Sequence, residues 1–303
     1  MNFFDVLGEM LVILFAIVAG FVARRLGWLG GETDQKLSKL LLNITMPAMI
    51  LASVITGDEL PEVSVILSVL EVGVAFYALA LLFAYAVPRF LPGTPEQKGV
   101  WRYALAFPNV AFIGYPVAVA LFGPQALFYA VILVMPFNLL SYSLGPLMLA
   151  GAGRFRWQQL LSPCIVASVA ALVLALTRLR PPVLVGEMLS FVGDITVPLS
   201  LLMVGSFLAD IPAGEVFRSG KLWVLAALRL LVLPVILWVV LRAMGIQELV
   251  LGIAVTQMAM PVAVNGTLLS MEYGGDTTCM AQITFLTTLG SILTIPVIAA
   301  LLL

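Results

Sequence analysis

Polar side chains are scarce in this chain, and several of those that interrupt its apolar runs stand beside prolines. Asn43 and Thr45 precede Pro47 in the pentapeptide NITMP. The same shape returns 151 positions later as Asp194, Thr196 and Pro198 in DITVP. Proline has no amide hydrogen, so the carbonyl four residues earlier loses its helical partner. In hydrocarbon such a carbonyl must find another donor or line a wet cavity. Pro47 frees the carbonyl of Asn43 in this way, and Pro198 frees that of Asp194. Two readings follow. Either the prolines kink helices while Thr45 and Thr196 cap the freed carbonyls, or the breaks shape a polar site inside a membrane.

Two other runs are interrupted more heavily. FPNVAFIGYP, residues 107–116, holds Pro108, Asn109, Gly114, Tyr115 and Pro116. QMAMPVAVNG, residues 257–266, holds Gln257, Pro261, Val262 and Asn265. Pro108 and Pro261 are 153 positions apart, about half the 303-residue chain. Interrupted spans at corresponding places in two halves point to a transport site near mid-membrane. The N-terminus of a half-helix offers unpaired amides and a partial positive charge, which suit a carboxylate. Its C-terminus and the freed carbonyls suit a cation. Phe112 and Tyr115 are candidate pocket walls.

Glu71, Asp194 and Arg229 fall inside apolar runs, where each ionised group costs roughly 2.5–3.5 kcal/mol on insertion scales. In one reading Glu71 or Asp194 pairs with Arg229 and locks helices together. In the other, one carboxylate carries a proton or binds sodium, while Arg229 balances a substrate anion. Histidine is absent, so any proton carrier within the spans must be one of these acids. The same absence removes histidine-based triads and metal sites. No metal site is expected.

The elements that position these residues follow from composition. Hydrophobic residues make up 62% of the chain and charged residues 10%, against about 45–50% and 25% in soluble domains. The expectation is an integral membrane protein. A net charge of −1 offers no basic field for nucleic acid. Cys164 and Cys279 lack metal-site spacing and read as small buried residues. Asp5 and Glu9 occupy the place of a basic leader region, so the N-terminal run reads as a span rather than a signal peptide.

Apolar runs of about 20 residues, the length that crosses the hydrocarbon, lie near 8–28, 36–56, 63–88, 100–122, 125–150, 158–177, 186–208, 220–243, 247–270 and 278–302. Links after odd-numbered spans carry eleven Lys and Arg: Arg24, Arg25, Lys36, Lys39, Arg89, Lys98, Arg102, Arg154, Arg156, Arg218 and Lys221. Links after even-numbered spans carry three: Arg178, Arg180 and Arg242. The positive-inside rule makes the odd links cytoplasmic and turns both termini outward. Five spans per half is an odd number, so the halves 1–150 and 151–303 must insert in opposite senses. Leu51 matches Leu202 and Pro61 matches Pro212 at the offset of the pentapeptides. The fold expected is all-α, with ten transmembrane helices as two inverted five-helix repeats and helices 4 and 9 broken.

PNVAFIGYP resembles the fourth-span motif of the auxin efflux carrier family. NITMPAMIL resembles its second span, RLLVLP (229–234) its eighth, and MPVAV with MEYGGD (260–264 and 271–276) its ninth. The resemblance implies that the broken helices 4 and 9 are crossed, and it implies a scaffold and a transport subdomain, elevator-type motion and carriage of a small organic anion such as malate, malonate or auxin. It implies Pro108 and Pro261 as crossover points and Asn109 as a contact to a substrate carboxylate. The link GAGRFRWQ (151–158) lacks the long hydrophilic loop of the plant carriers, and Val262 stands where they place a polar residue. Both favour a bacterial-type permease for malate or malonate, in the cytoplasmic membrane and among its lipids. Proton or sodium coupling and a homodimer are left open. Alternatives are a sodium-coupled symporter of the bile-acid-symporter type, a channel, or an intramembrane enzyme. The last is poorly served, since Tyr273-Gly274-Gly275-Asp276 misses the GxGD pattern at its first glycine.

Overall fold

A computed structural model describes residues 3–56, 62–150, 162–210, 216–217 and 219–302. Gly57, Asp58, Pro61, Pro212, Arg154, Arg156, Arg218 and the link at 151–158 lie outside the described residues. Within them the chain is helical, and its one extended pairing is a single bridge between Pro108 and Val262.

The first half begins with α1 (Phe3–Arg25), then α2 (Gly31–Leu40) running through a wide π-turn, Leu41–Thr45, into α3 (Met46–Ile55). Next come α4 (Val63–Phe90), α5 (Pro95–Ala106), a second π-turn (Val110–Gly114) leading into α6 (Tyr115–Phe122), and α7 (Ala126–Ala150). The second half repeats the order of long and broken elements: α8 (Pro163–Thr177), α9 (Val183–Gly193) and α10 (Thr196–Ala209). Then follow α11 (Gly220–Ala227), a π-turn (Leu228–Val232), α12 (Leu233–Ala243), α13 (Glu248–Met258), α14 (Asn265–Tyr273) and α15 (Thr277–Leu302).

The three π-turns among the described residues each end two residues before a proline: Pro47, Pro116 and Pro234. A proline cannot accept the helical register four residues back, and the preceding turn widens to a five-residue register to absorb the mismatch. Proline thus widens these spans rather than cutting them. Among the described spans, Asp194 and Ile195 form a short turn between α9 and α10, while the stretches around 107–109 and 259–264 are complete breaks.

Among the described residues, five continuous stretches are long and apolar enough to cross a membrane, Gly31–Ile55 and Thr277–Leu302 among them. Phe15, Val74, Phe191 and Leu293 stand largely exposed on the outer faces, as expected where lipid replaces water. The protein is a multi-pass membrane protein. One boundary lies outside the hydropathy reading. The run expected from residue 100 starts at Pro95, because Thr94 and Gln97 form a reciprocal capping box. That first turn is polar, so hydropathy passes over it while capping specifies it.

The helices sort into two groups. Helices α1, α2–α3, α8 and α9–α10 pack chiefly on one another, while α4 to α7 and α11 to α15 form the second and larger group. In the first group α1 lies along α10 at glycine contact. A Cβ on Gly20 would stand 1.9 Å from the Leu202 carbonyl oxygen, and one on Gly205 would stand 1.9 Å from that of Ile17. Such close backbone approach is the main source of helix adhesion where lipid cancels the hydrophobic effect. Between the groups lies a smaller apolar core formed by Ile17, Val204, Ile113, Val117 and Ile295.

Candidate functional site at the helix crossover

The two broken segments cross and hold each other by main-chain bonds. The Asn109 amide donates to the Pro261 carbonyl at 2.7 Å, and the Ala263 amide donates to that of Phe107 at 3.1 Å. This is the antiparallel bridge at Pro108 and Val262. Neither proline is asked to donate, so the pairing uses only groups the sequence provides. The remaining amide at the crossing, that of Val262, donates to Thr287 Oγ1 of α15 at 3.1 Å.

Carbonyls left open by the breaks also have partners. Arg229, 1% exposed, donates from Nη1 to Leu105 at 2.9 Å, from Nη2 to Met258 at 2.8 Å and from Nε to Met260 at 3.2 Å. Leu105 is in the last turn of α5 and Met258 ends α13. Asn109 caps the next element: its Oδ1 accepts from the Phe112 amide at 3.3 Å, and its carbonyl accepts from the Gly114 amide at 3.0 Å. The Phe112 carbonyl, freed by Pro116, accepts from Ser200 Oγ of α10 at 3.0 Å. Gly114 is required by closeness, since a Cβ there would lie 2.2 Å from Gln257 Oε1.

A cavity of about 400 Å³ opens against one side of this crossing. Pro108, Asn109, Phe112, Tyr115 and Asn265 line its deep end, with Leu42, Met46 and Ile50 from the other helix group. Ser38 and Asp210 stand among its wall residues, at the end of the molecule that carries Arg24, Lys36 and Lys39. The lining is mostly apolar with a few convergent polar groups, the usual make-up of a small-molecule pocket. Asp210 is held by Arg24 through two hydrogen bonds of 2.8 and 2.7 Å, so its charge is offset.

Of the residues singled out from sequence, the structure brings Pro108, Asn109, Tyr115 and Asn265 to this cavity. Asn265 Oδ1 accepts from Tyr103 Oη at 3.3 Å. Gly114, Pro261, Val262 and Gln257 form the buried layer behind it, and the Gln257 amide has no protein partner on either atom. Asn109 Nδ2 is also unpartnered. The pentapeptide residues lie elsewhere. Asn43 is exposed and donates from Nδ2 to the Lys39 carbonyl at 2.7 Å. Asp194 is exposed at the joint of α9 and α10.

Two expectations are corrected. Arg229 does not pair with Glu71 or Asp194: both acids sit on exposed faces, while the guanidinium is turned inward to three carbonyls. Thr45 and Thr196 do not cap freed carbonyls, for each hydroxyl is buried without a partner. The nearby carbonyl of Leu42 instead accepts from Cys164 Sγ at 3.0 Å. Sequence reading passed over Ser38, Cys164, Asp210 and Thr284, which also line the cavity. Only Asp210 carried a signal, as a carboxylate closing an apolar run.

Known proteins place the chain in context. The sequence profile described as membrane transport protein matches residues 5–154 and, a second time, residues 146–299. A Methanothermobacter thermautotrophicus protein called "Uncharacterized transporter" is 24% identical, covering 95% of each chain. A Methanocaldococcus jannaschii protein also called an uncharacterized transporter is 23% identical, covering 94% of this chain and 95% of its own. A Rhizobium meliloti protein called "Putative malonate transporter" is 22% identical, covering 96% of this chain and 94% of its own.

Proposed function

Because the chain belongs to the membrane transport protein family, that of the auxin efflux carriers, we propose that this transporter is a secondary carrier of a small organic anion, a dicarboxylate such as malonate or malate. The observation that carries this reading is the polarity of the crossover. The C-terminal ends of α5 and α13, the negative poles of their helix dipoles, are both covered by Arg229. The opposite poles, at Asn109–Phe112 and at Val264–Asn265, line the cavity. Each such N-terminus carries roughly half a positive charge, although the Phe112 amide of the first is already taken by Asn109 Oδ1. Two of them converging on a mostly apolar pocket, with the guanidinium behind, favour a carboxylate and disfavour a cation. Asn109 Nδ2 is the further donor, and Tyr115 and Phe112 are the walls.

The wider architecture is read the same way. Both halves run through the same order of two spans and then three. That supports ten spans as two inverted repeats, residues 1–150 and 151–303. The two helix groups correspond to a scaffold and a moving body in an elevator mechanism. The cavity wall includes Ser38 and Asp210, at the end rich in Lys and Arg. By the positive-inside rule this is an inward-facing form in the cytoplasmic membrane with both termini outside. The partners are the anion and membrane lipid, with no nucleic acid, and the carrier is proposed to work as a homodimer.

Counterflow of labelled malonate in proteoliposomes is the test, beside a thermal-shift series of mono- and dicarboxylates. A ligand at 100 times its Kd stabilises the folded form by about 2.7 kcal/mol. Saturable counterflow supports a carrier over a channel. Absence of both a shift and counterflow with every carboxylate would sink the assignment.

A further inference from the structure

Arg229 is a charged group deep inside a membrane protein that donates to no carboxylate among the described residues. Its acceptors are the carbonyls of Leu105, Met258 and Met260, contributed by two segments that meet only at the crossing. The C-terminus of each half-helix holds roughly half a negative charge. Two such ends sum to about one elementary charge, and one guanidinium balances them. Carbonyl oxygens converging from broken helices are also what a hard metal cation takes as ligands.

We propose that Arg229 is a tethered cation of the crossover, holding α5 to α13 where a dissociable coupling ion such as sodium would otherwise bind. The guanidinium cannot depart, and it does not lose its proton in proteins. The crossover therefore keeps the same charge whether the cavity is empty or filled. Ion binding at these carbonyls is not a step of the cycle, which separates this chain from a symporter that loads sodium at its crossing. A lysine would retain the charge but not the fork that reaches three acceptors at once. The inference rests on the carrier reading for its meaning, whereas the geometry stands without it.

The test is a thermal-shift experiment on purified full-length protein, in sodium, potassium or choline chloride at equal ionic strength. Wild type is expected to melt at one temperature in all three salts. Arg229→Gly is expected to lose several degrees in Tm, to regain part of the loss with low-millimolar guanidinium, and to melt higher in sodium than in choline. Arg229→Lys is expected to fall between the two and to ignore sodium. A rise of wild-type Tm with sodium overturns the proposal. So does an Arg229→Gly protein that melts like wild type or does not respond to guanidinium. If the glycine variant fails to fold, sodium-sensitive melting of Arg229→Lys overturns it instead. Malonate counterflow is run beside these measurements. The expected melting pattern without any counterflow counts against the carrier reading and leaves the tethered cation standing.

Discussion

The molecule breaks its apolar helices in two ways, and the pentapeptides and the crossover show the difference. NITMP and DITVP carry the more conspicuous polar residues, yet Asn43 and Asp194 face outward. Asn43 is satisfied within its own helix. FPNVAF and MAMPVA carry less polarity, yet their main chains meet, exchange two amides and recruit Arg229 and Thr287. A proline with a polar neighbour makes a bend. A second broken segment that answers its main-chain groups makes a site.

Substitutions at matched places would sharpen or break this comparison. The largest effect is expected from Ala263→Pro, which deletes the amide given to Phe107 and orphans a buried carbonyl at roughly 1–3 kcal/mol, before any clash of the ring. Malonate uptake should fall at least about tenfold at equal expression, in line with that energy. The counterpart, Pro198→Ala, restores an amide at an exposed joint and should leave uptake within about twofold, a shift of less than 1 kcal/mol. Equal losses in the two variants would erase the distinction.

Next comes Asn109→Ala. It removes the cap on Phe112, worth about 1 kcal/mol, and the free amide facing the crossing. Uptake should drop about tenfold with a modest loss in Tm, because the transport cost adds to the capping cost. A fall in Tm with unchanged uptake would reduce Asn109 to a cap. The smallest effects are expected from Asn43→Ala and Asp194→Asn, both within about twofold of wild type, as is usual for exposed positions. Proton- or sodium-dependent flux that vanishes in Asp194→Asn would return the pentapeptide to the centre of the mechanism.

The crossing was legible in the sequence as two heavily interrupted runs at matched positions; proline alone does not decide it, since Pro136, Pro146 and Pro296 sit inside continuous helices. The partners of the freed carbonyls were not legible. Arg229 and Leu105 are 124 positions apart, and only three-dimensional closure tells that the guanidinium faces main chain rather than Glu71 or Asp194. The facing of Glu71 was hidden for a related reason. In a span apolar on all sides, no amphipathic stripe reveals which face meets protein and which meets lipid. Hydropathy also misplaced the start of α5, where a capping box rather than apolarity sets the boundary.

The link between Ser200 and the Phe112 carbonyl joins the two helix groups at the edge of the crossing. Any sliding of one group against the other has to begin by parting it. The hydroxyl is 2.9 Å from a second acceptor, the Val197 carbonyl of its own helix, so rotation alone re-satisfies it. The Phe112 carbonyl has no such spare, because Pro116 supplies no amide. The two sides of this contact therefore separate unequally: the smaller group lets go at little cost, and the crossover is left with an open carbonyl that needs a donor such as water.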